Sequence, residues 1–127
     1  MRLKDKVAIV TGSSKGIGEG IARIFRREGA KVVILCRNES QGKKMADELG
    51  AAQGQALFVR TDVTQSQDIQ DMINQTVKTF GRLDILVNNA GYHLSKNAEE
   101  TSEDEWEFIQ NTNLRSTFLC SKYAIPH

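Results

Sequence analysis

Three glycines fall within seven residues in Thr11-Gly12-Ser13-Ser14-Lys15-Gly16-Ile17-Gly18, directly after an apolar run at 7–10 and directly before a helical pattern. Glycine turns the chain sharply and bares its N–H groups, and a helix starting there aims its positive end at the same point. That combination makes a site for a phosphate group. An ordinary Gly/Ser loop is the plain alternative; its placement between a strand and an amphipathic helix favours pyrophosphate. The Gly-x-x-x-Gly-x-Gly spacing departs from Gly-x-Gly-x-x-Gly and lacks the Gly-Lys-Ser/Thr ending of a P-loop, which argues against a mononucleotide triphosphatase.

Other chemistry-bearing residues follow later apolar runs. Cys36, Arg37 and Asn38 stand after the second run, with Glu39 the nearest acid. In a dinucleotide site the adenosine ribose lies there; an acidic side chain bonds a free 2′-hydroxyl and a basic one pairs with a 2′-phosphate. Arg37, with Lys15 within reach of the same phosphate, favours NADP over NAD, the alternative being a solvated loop cation. Asp62, after the third run, either accepts a hydrogen bond from an adenine amino group or makes an Asx turn ahead of a helix. Asn88-Asn89-Ala90-Gly91, after the fourth, is either turn chemistry or a small-residue floor for a flat ring.

The elements that must position these residues follow from hydrophobic patterning. Apolar runs at 7–10, 32–36, 56–59 and 83–87 are nearly continuous, apart from Asp84, as strands buried on both faces should be. Between them, Ile17, Ile21, Ile24 and Phe25 mark one stripe of a first helix that Gly29 stops. A second helix at about 39–49 has Asn38 and Gln41 in capping-box spacing and an apolar face of Met45, Ala46 and Leu49, with Gly42 as an internal weakness. A third has Thr64 and Gln67 as caps, a face of Ile69, Met72, Ile73, Val77 and Phe80, and a stop at Gly81. A last helix opens with Ser102 and Glu105 as a capping box; if regular, Trp106, Ile109 and Asn113 share its inner face. Strand and helix alternating with short linkers predict an α/β fold with a doubly wound parallel sheet, whose ligands bind at the strands' carboxyl ends.

The 127 residues, 39% hydrophobic and 26% charged, suit one domain. Seventeen basic against sixteen acidic side chains leave a net charge of +1 and give no broad electrostatic argument for nucleic acid or an anionic membrane. Cys36 and Cys120 lie far apart, without ligand spacing to a histidine, so two buried, reduced thiols and no metal site are expected. No apolar run has signal-peptide or membrane-spanning length, and a cytoplasmic protein is the expectation.

Thr11-Gly12-x-x-x-Gly16-x-Gly18, Asp62, Asn88-Asn89-Ala90-Gly91 and Asn111-x-Asn113-Leu114, in that order and with those gaps, resemble the short-chain dehydrogenase/reductase family. Within it the resemblance is to the group that includes 3-oxoacyl-(acyl-carrier-protein) reductases, and it covers the chain from Lys6 onward. It implies a Rossmann-like fold and an NADP-dependent oxidoreductase that transfers hydride between nicotinamide and a carbonyl or secondary alcohol. By position, Gly12, Ser14, Lys15, Gly16, Ile17 and Gly18 would hold the dinucleotide and Arg37 its extra phosphate. Asp62 and Val63 would border the adenine, and Asn89, Ala90 and Gly91 the nicotinamide-side ribose. Thr11 and Asn88 would tie the first and fourth strands together. Asn113 would be the catalytic, helix-kinking asparagine whose carbonyl holds a water; Ser116 departs from the glycine often found three residues after it.

The resemblance also calls for a serine after a fifth strand and a Tyr-x-x-x-Lys pair on the next helix, and these residues are not in the chain. Tyr123 does not replace them, since Lys122 precedes it and Pro126 disrupts the turn beyond. Residues 1–127 are therefore expected to be the dinucleotide-binding part of one domain, truncated after the helix that follows the fourth strand and inactive alone. The full-length form is expected to be a homo-oligomer. A non-catalytic dinucleotide-binding module and an interaction fragment pairing through the last helix are the readings from other classes. A methyltransferase is a remoter rival, disfavoured by Arg37 where its methyl donor's ribose would want an acid.

Overall fold

The computed structural model describes residues 1–127. Four parallel strands, β1 (Val7–Thr11), β2 (Lys31–Cys36), β3 (Ala56–Arg60) and β4 (Ile85–Val87), form one sheet in the order β3-β2-β1-β4. Helices α1 (Gly16–Arg27), α2 (Glu39–Glu48), α3 (Ser66–Phe80), α4 (Glu103–Gln110) and α5 (Ser116–Ala124) complete the chain, with a π-turn at Asn111–Arg115 joining the last two. This is the expected doubly wound, Rossmann-like sheet.

The near-continuous apolar runs arise because alternate side chains enter separate cores. Val33 and Leu35 of β2 join Ile9, Val59 and the α3 residues Ile69, Met72 and Ile73 on one face, with Leu119 and Cys120 of α5. Val32 and Ile34 join Ala56, Ala22 of α1, and Met45, Ala46 and Leu49 around α2 on the other. A strand with two buried faces carries apolar side chains along its middle on both faces.

The predicted stripe on α1 is turned by one residue. Ile17 and Ile24 are 77% and 55% exposed, while Gly18 and Ala22 are buried and Phe25 packs half-buried against the second core. The reason is distance: a Cβ on Gly18 would lie 2.3 Å from the Gly12 carbonyl oxygen, so only a small-residue face can approach the sheet. Gly42, a weakness on helix propensity alone, has the same explanation. A Cβ there would sit 1.9 Å from the Phe58 ring of β3.

Helix ends follow the sequence with one exception. Asn38 caps α2 by accepting from the Gln41 N–H at 3.1 Å, and Gly81 closes α3 at φ +77°. Ser102 and Glu105 form the complete capping box of α4. The exception is Thr64: α3 has Gln65 at its N-cap position with no side-chain cap, so Thr64 stands one residue too early, and its hydroxyl donates to Asp62.

β4 is shorter than the run at 83–87 suggested. Leu83 is buried but outside the strand, and the Asp84 carboxylate accepts from the Val7 N–H at 2.9 Å and from Arg82 at 2.7 and 2.8 Å. The Arg82 contact, first among several, holds the Asp84 carboxyl below its usual range. An interrupting charge thus anchors the start of β4 to β1.

Gly42→Ala should destabilise the fold by about 1–3 kcal/mol through overpacking against Phe58. Gly20→Ala, on α1 with nothing within 4 Å of the new Cβ, should stabilise by about 0.5–1 kcal/mol. Urea denaturation of the two variants measures this, and equal midpoints would sink the packing account of Gly42.

Candidate functional site

The site starts where β1 and β4 part. Their pairing runs Ala8–Ile85, Ile9–Leu86 and Val10–Val87, and beyond it the two chains diverge. The Thr11 hydroxyl stands in the fork, donating to the Val87 carbonyl at 3.4 Å and accepting from the N–H groups of Asn89 and Ala90, each at 2.8 Å. The Asn89 side chain closes the fork from the other side, donating to the carbonyls of Thr11 and Gly12 at 3.1 and 3.2 Å. Asn88, expected to make this tie with Thr11, turns away and donates to Ser121 of α5 instead. The tie belongs to Asn89 because side chains alternate along an extended chain.

From the fork the glycine bend runs over the sheet. Gly12 and Gly16 have φ of +62° and +60°, conformations that favour glycine, and a Cβ on Gly12 would lie 3.0 Å from the Ala90 Cα. Nothing lies within 4 Å of a Cβ built at Gly16, so that side of the bend is open. The buried Ser13 pins the bend to β2, its Oγ accepting from the Leu35 N–H at 3.1 Å. Lys15 occupies the N-cap position of α1 without a side-chain hydrogen bond, and no side chain caps the helix's first N–H groups.

A cleft of about 720 Å³ opens over the carboxyl ends of the strands. Gly12, Ser14, Lys15, Gly16, Arg37, Asp62, Val63, Asn89, Ala90 and Gly91 all line it, so residues from four separate loops meet as the sequence predicted. Ile17, Gly18 and Asn113 do not line it. Gly18 supports the floor from below, against Gly12 and Asn89. Asn113 braces the wall, its Oδ1 accepting from the Tyr92 N–H at 2.7 Å and its Nδ2 donating to the Tyr92 carbonyl at 2.9 Å. The Asn113 carbonyl accepts the Thr117 hydroxyl at 2.9 Å.

Asp62 forms the Asx turn that was one of its two readings. Its Oδ1 accepts from the Thr64 N–H at 2.9 Å and the Thr64 hydroxyl at 2.7 Å, and its own N–H donates to Asp68. Burial pushes the Asp62 carboxyl up, but the two Thr64 hydrogen bonds, with Arg37 and Arg60 nearby, outweigh it and hold it below its ordinary value. Cys36 also lines the cleft and is only half-buried, against expectation, whereas burial raises the Cys120 thiol to about 11.

Several lining residues escaped the sequence reading, among them Thr61, Tyr92, Phe108 and Thr112. Tyr92 and Phe108 meet edge to face, ring centroids 5.1 Å apart and planes at 74°. The expected inner face of Trp106, Ile109 and Asn113 does not form: Trp106 is 58% exposed within α4, and the helix widens at Asn111–Arg115, where Asn113 sits. The usable signal was the i, i+4, i+8 series Phe108, Thr112 and Ser116.

Residues 6–127 match the family described as short chain dehydrogenase. The chain belongs to that family. It is 40% identical over 124 residues to an uncharacterized oxidoreductase of Staphylococcus aureus (strain MRSA252), covering 98% of this chain and 53% of the relative. It is 41% identical over 127 residues to L-fucose dehydrogenase of Bos taurus, covering 99% and 46%. Among solved structures, a 3-ketoacyl-(acyl-carrier-protein) reductase from Brucella melitensis complexed with NADH superposes with a TM-score of 0.92 at 40% identity, covering 98% of this chain and 51% of that one. A short-chain dehydrogenase/reductase mutant of Serratia marcescens gives a TM-score of 0.94 at 34% identity, covering 100% and 52%. The chain spans about half the length of the relatives it matches. The family is one of oxidoreductases that bind a nicotinamide dinucleotide. No helix is long and apolar enough to cross a membrane.

Thr11→Val should cost about 2–3 kcal/mol by leaving the N–H groups of Asn89 and Ala90 without an acceptor, whereas Thr11→Ser should keep most of the stability. Denaturant midpoints separate the two variants. The Asp62 carboxyl, depressed in the fold, contributes stability that is fully present above the unfolded value of about 3.9 and is lost as pH falls through the folded one. Asp62→Asn should therefore lose less stability than the parent between neutral pH and pH of about 3; parallel curves would contradict the assignment.

Proposed function

We propose that the cleft holds NADP in preference to NAD and serves a short-chain oxidoreductase acting on a small-molecule carbonyl or secondary alcohol. The observation that carries the preference is the cation pair in the cleft. Arg37 at the end of β2 and Lys15 in the glycine bend line the same space. Glu39, the nearest acid in sequence, lies outside the lining and is paired with Lys43 at 3.1 Å. A 2′-phosphate would find two cations there, whereas a free 2′-hydroxyl would lack the carboxylate it needs.

The residues fit a dinucleotide. The positive φ at Gly12 and Gly16, the open space over Gly16 and the uncapped start of α1 leave a cradle that side chains would fill. Gly12, Ser14, Gly16, Ile17 and Gly18 would form it, with Gly18 acting through close packing and Ile17 through its exposed apolar surface. Asp62 and Val63 would border the adenine and Asn89, Ala90 and Gly91 the second ribose. When bound, the nicotinamide supplies or accepts the hydride. A water on the Asn113 carbonyl would share that oxygen with the Thr117 hydroxyl at 2.9 Å and the longer Ser116 contact at 3.3 Å.

Within these residues the cleft offers no tyrosine–lysine proton donor. Tyr123 packs against the α3 side of the core, with Lys122 over its ring at 5.4 Å. That favours binding without turnover for residues 1–127 alone, with reduction belonging to a longer, cytoplasmic homo-oligomer. Exposed Leu114, Phe118 and Ile125 support self-association through the last helix.

Titration calorimetry on the intact protein tests the reading. NADPH should bind at least about tenfold more tightly than NADH, and Arg37→Ala should remove most of that difference while leaving NADH nearly unchanged. Equal affinities in the parent would overturn the NADP preference, and no binding of either would overturn the cofactor reading.

A further inference from the structure

The helix leaving the cleft is built in two pieces, and the wide turn between them has its own supports. At the π-turn Asn111–Arg115 the Ser116 N–H donates to the Asn111 carbonyl five residues back. Single π-turns inside helices concentrate at functional sites and carry a cost in regular hydrogen bonding. Here two hydroxyls from the first turn of α5 reach back into the widened segment. Ser116 Oγ donates to the Thr112 carbonyl at 2.5 Å, with the Asn113 carbonyl at 3.3 Å, and Thr117 Oγ1 donates to the Asn113 carbonyl at 2.9 Å. Such back-bonding destabilises and bends a regular helix, so two instances in succession favour the wide turn over an α-helical one.

The turn decides where Asn113 points. Its amide makes two hydrogen bonds with the Tyr92 backbone, and a Cβ on Gly91 would come within 3.2 Å of its Oδ1. Removing the extra residue of the π-turn would rotate every later side chain by roughly 100° about the helix axis and take the amide away from Tyr92. Tyr92 in turn packs on Phe108, which lies on the other side of the turn, so the wall from Gly91 to Phe108 closes on itself through Asn113.

We infer that Ser116 and Thr117 are positioning residues for the cleft: their hydroxyls hold the turn at Asn111–Arg115 wide, and the wide turn aims the Asn113 amide at Tyr92. Neither lines the cleft, and Ser116 is buried, so each acts through the carbonyl it bonds. The effect on the wall stands on geometry alone; any effect on ligand affinity rests on the dinucleotide reading.

The test is amide hydrogen exchange, resolved by NMR on the intact protein, in Ser116→Ala/Thr117→Val. The Tyr92 amide, which donates to Asn113, should exchange about tenfold faster, while the Asn89 and Ala90 amides, held by Thr11, should keep the parent's rate. Loss of helix stability alone would speed exchange in α5 and leave Tyr92 unmoved, and that result would overturn the inference. Thr117→Val alone, near-isosteric at an exposed position, should raise the Tyr92 rate about threefold if the double variant does not fold. Thr117→Ser, which restores the hydroxyl, should return the parent's rate; faster exchange there too would also overturn it. NADPH titration of the same variants should show weakened binding, and an NADPH-blind parent would sink the dinucleotide reading while leaving the exchange result to judge the turn.

Discussion

The hydroxyl of Thr11 is the constraint on which the site depends. Parallel strands joined by backbone hydrogen bonds tend to continue together, and β1 and β4 stay paired only through Val10 and Val87. Beyond that point one oxygen receives two N–H groups from the β4 side and returns its proton to Val87, while the Asn89 amide spans the carbonyls of Thr11 and Gly12. The backbone groups freed by the divergence are thus satisfied by side chains rather than by further sheet. In the strand order β3-β2-β1-β4 the chain runs outward from β1 to β2 and β3 and then crosses back to β4 on the other side of β1. This fork therefore lies where the strand order reverses, the place where open α/β sheets take their ligands.

Close approach is the second requirement, and small residues meet it. Gly18 lets α1 rest on the Gly12 carbonyl and the Asn89 amide, which brings the helix N-terminus over the fork. The same helix leaves Ile17 and Ile24 in solvent, an arrangement that hydrophobic burial alone would not choose. Gly42 performs the equivalent service for α2 against Phe58 of β3. Packing distance here outranks both helix propensity and apolar patterning.

Most of the architecture was legible because buried parallel strands write themselves as apolar runs and because glycine spacing marks the bend. Ten of the predicted cofactor residues came together in one cleft for that reason. What was not legible depended on differences of a single residue. Asn88 and Asn89 are chemically identical, and only the direction of each side chain decides which reaches Thr11. The α1 stripe was read from its largest residues, although its smallest ones face the sheet. Thr64 has the composition of a cap, but it stands one residue before the N-cap position and its hydroxyl donates to Asp62. The π-turn is a local departure that no period of 3.6 describes, so Asn113 was grouped with Trp106 and Ile109, whereas its amide turns to Tyr92.

The charges of the cleft follow from the same competition for hydrogen bonds. Lys15, Arg37 and Asp62 are the charged groups in its lining, two cations against one carboxylate. Burial pushes the Asp62 carboxyl up, and the two Thr64 hydrogen bonds, with Arg37 and Arg60 nearby, outweigh it and hold it below its ordinary value. Its Oδ1 is committed to the Asx turn, so the carboxylate is fixed in place rather than free to swing onto Arg37. Arg37 then makes no ion pair within 4 Å and keeps its five donors for whatever enters beside it. The Asx turn that ties Asp62 to Thr64 thus leaves the cation at the end of β2 available to the cleft.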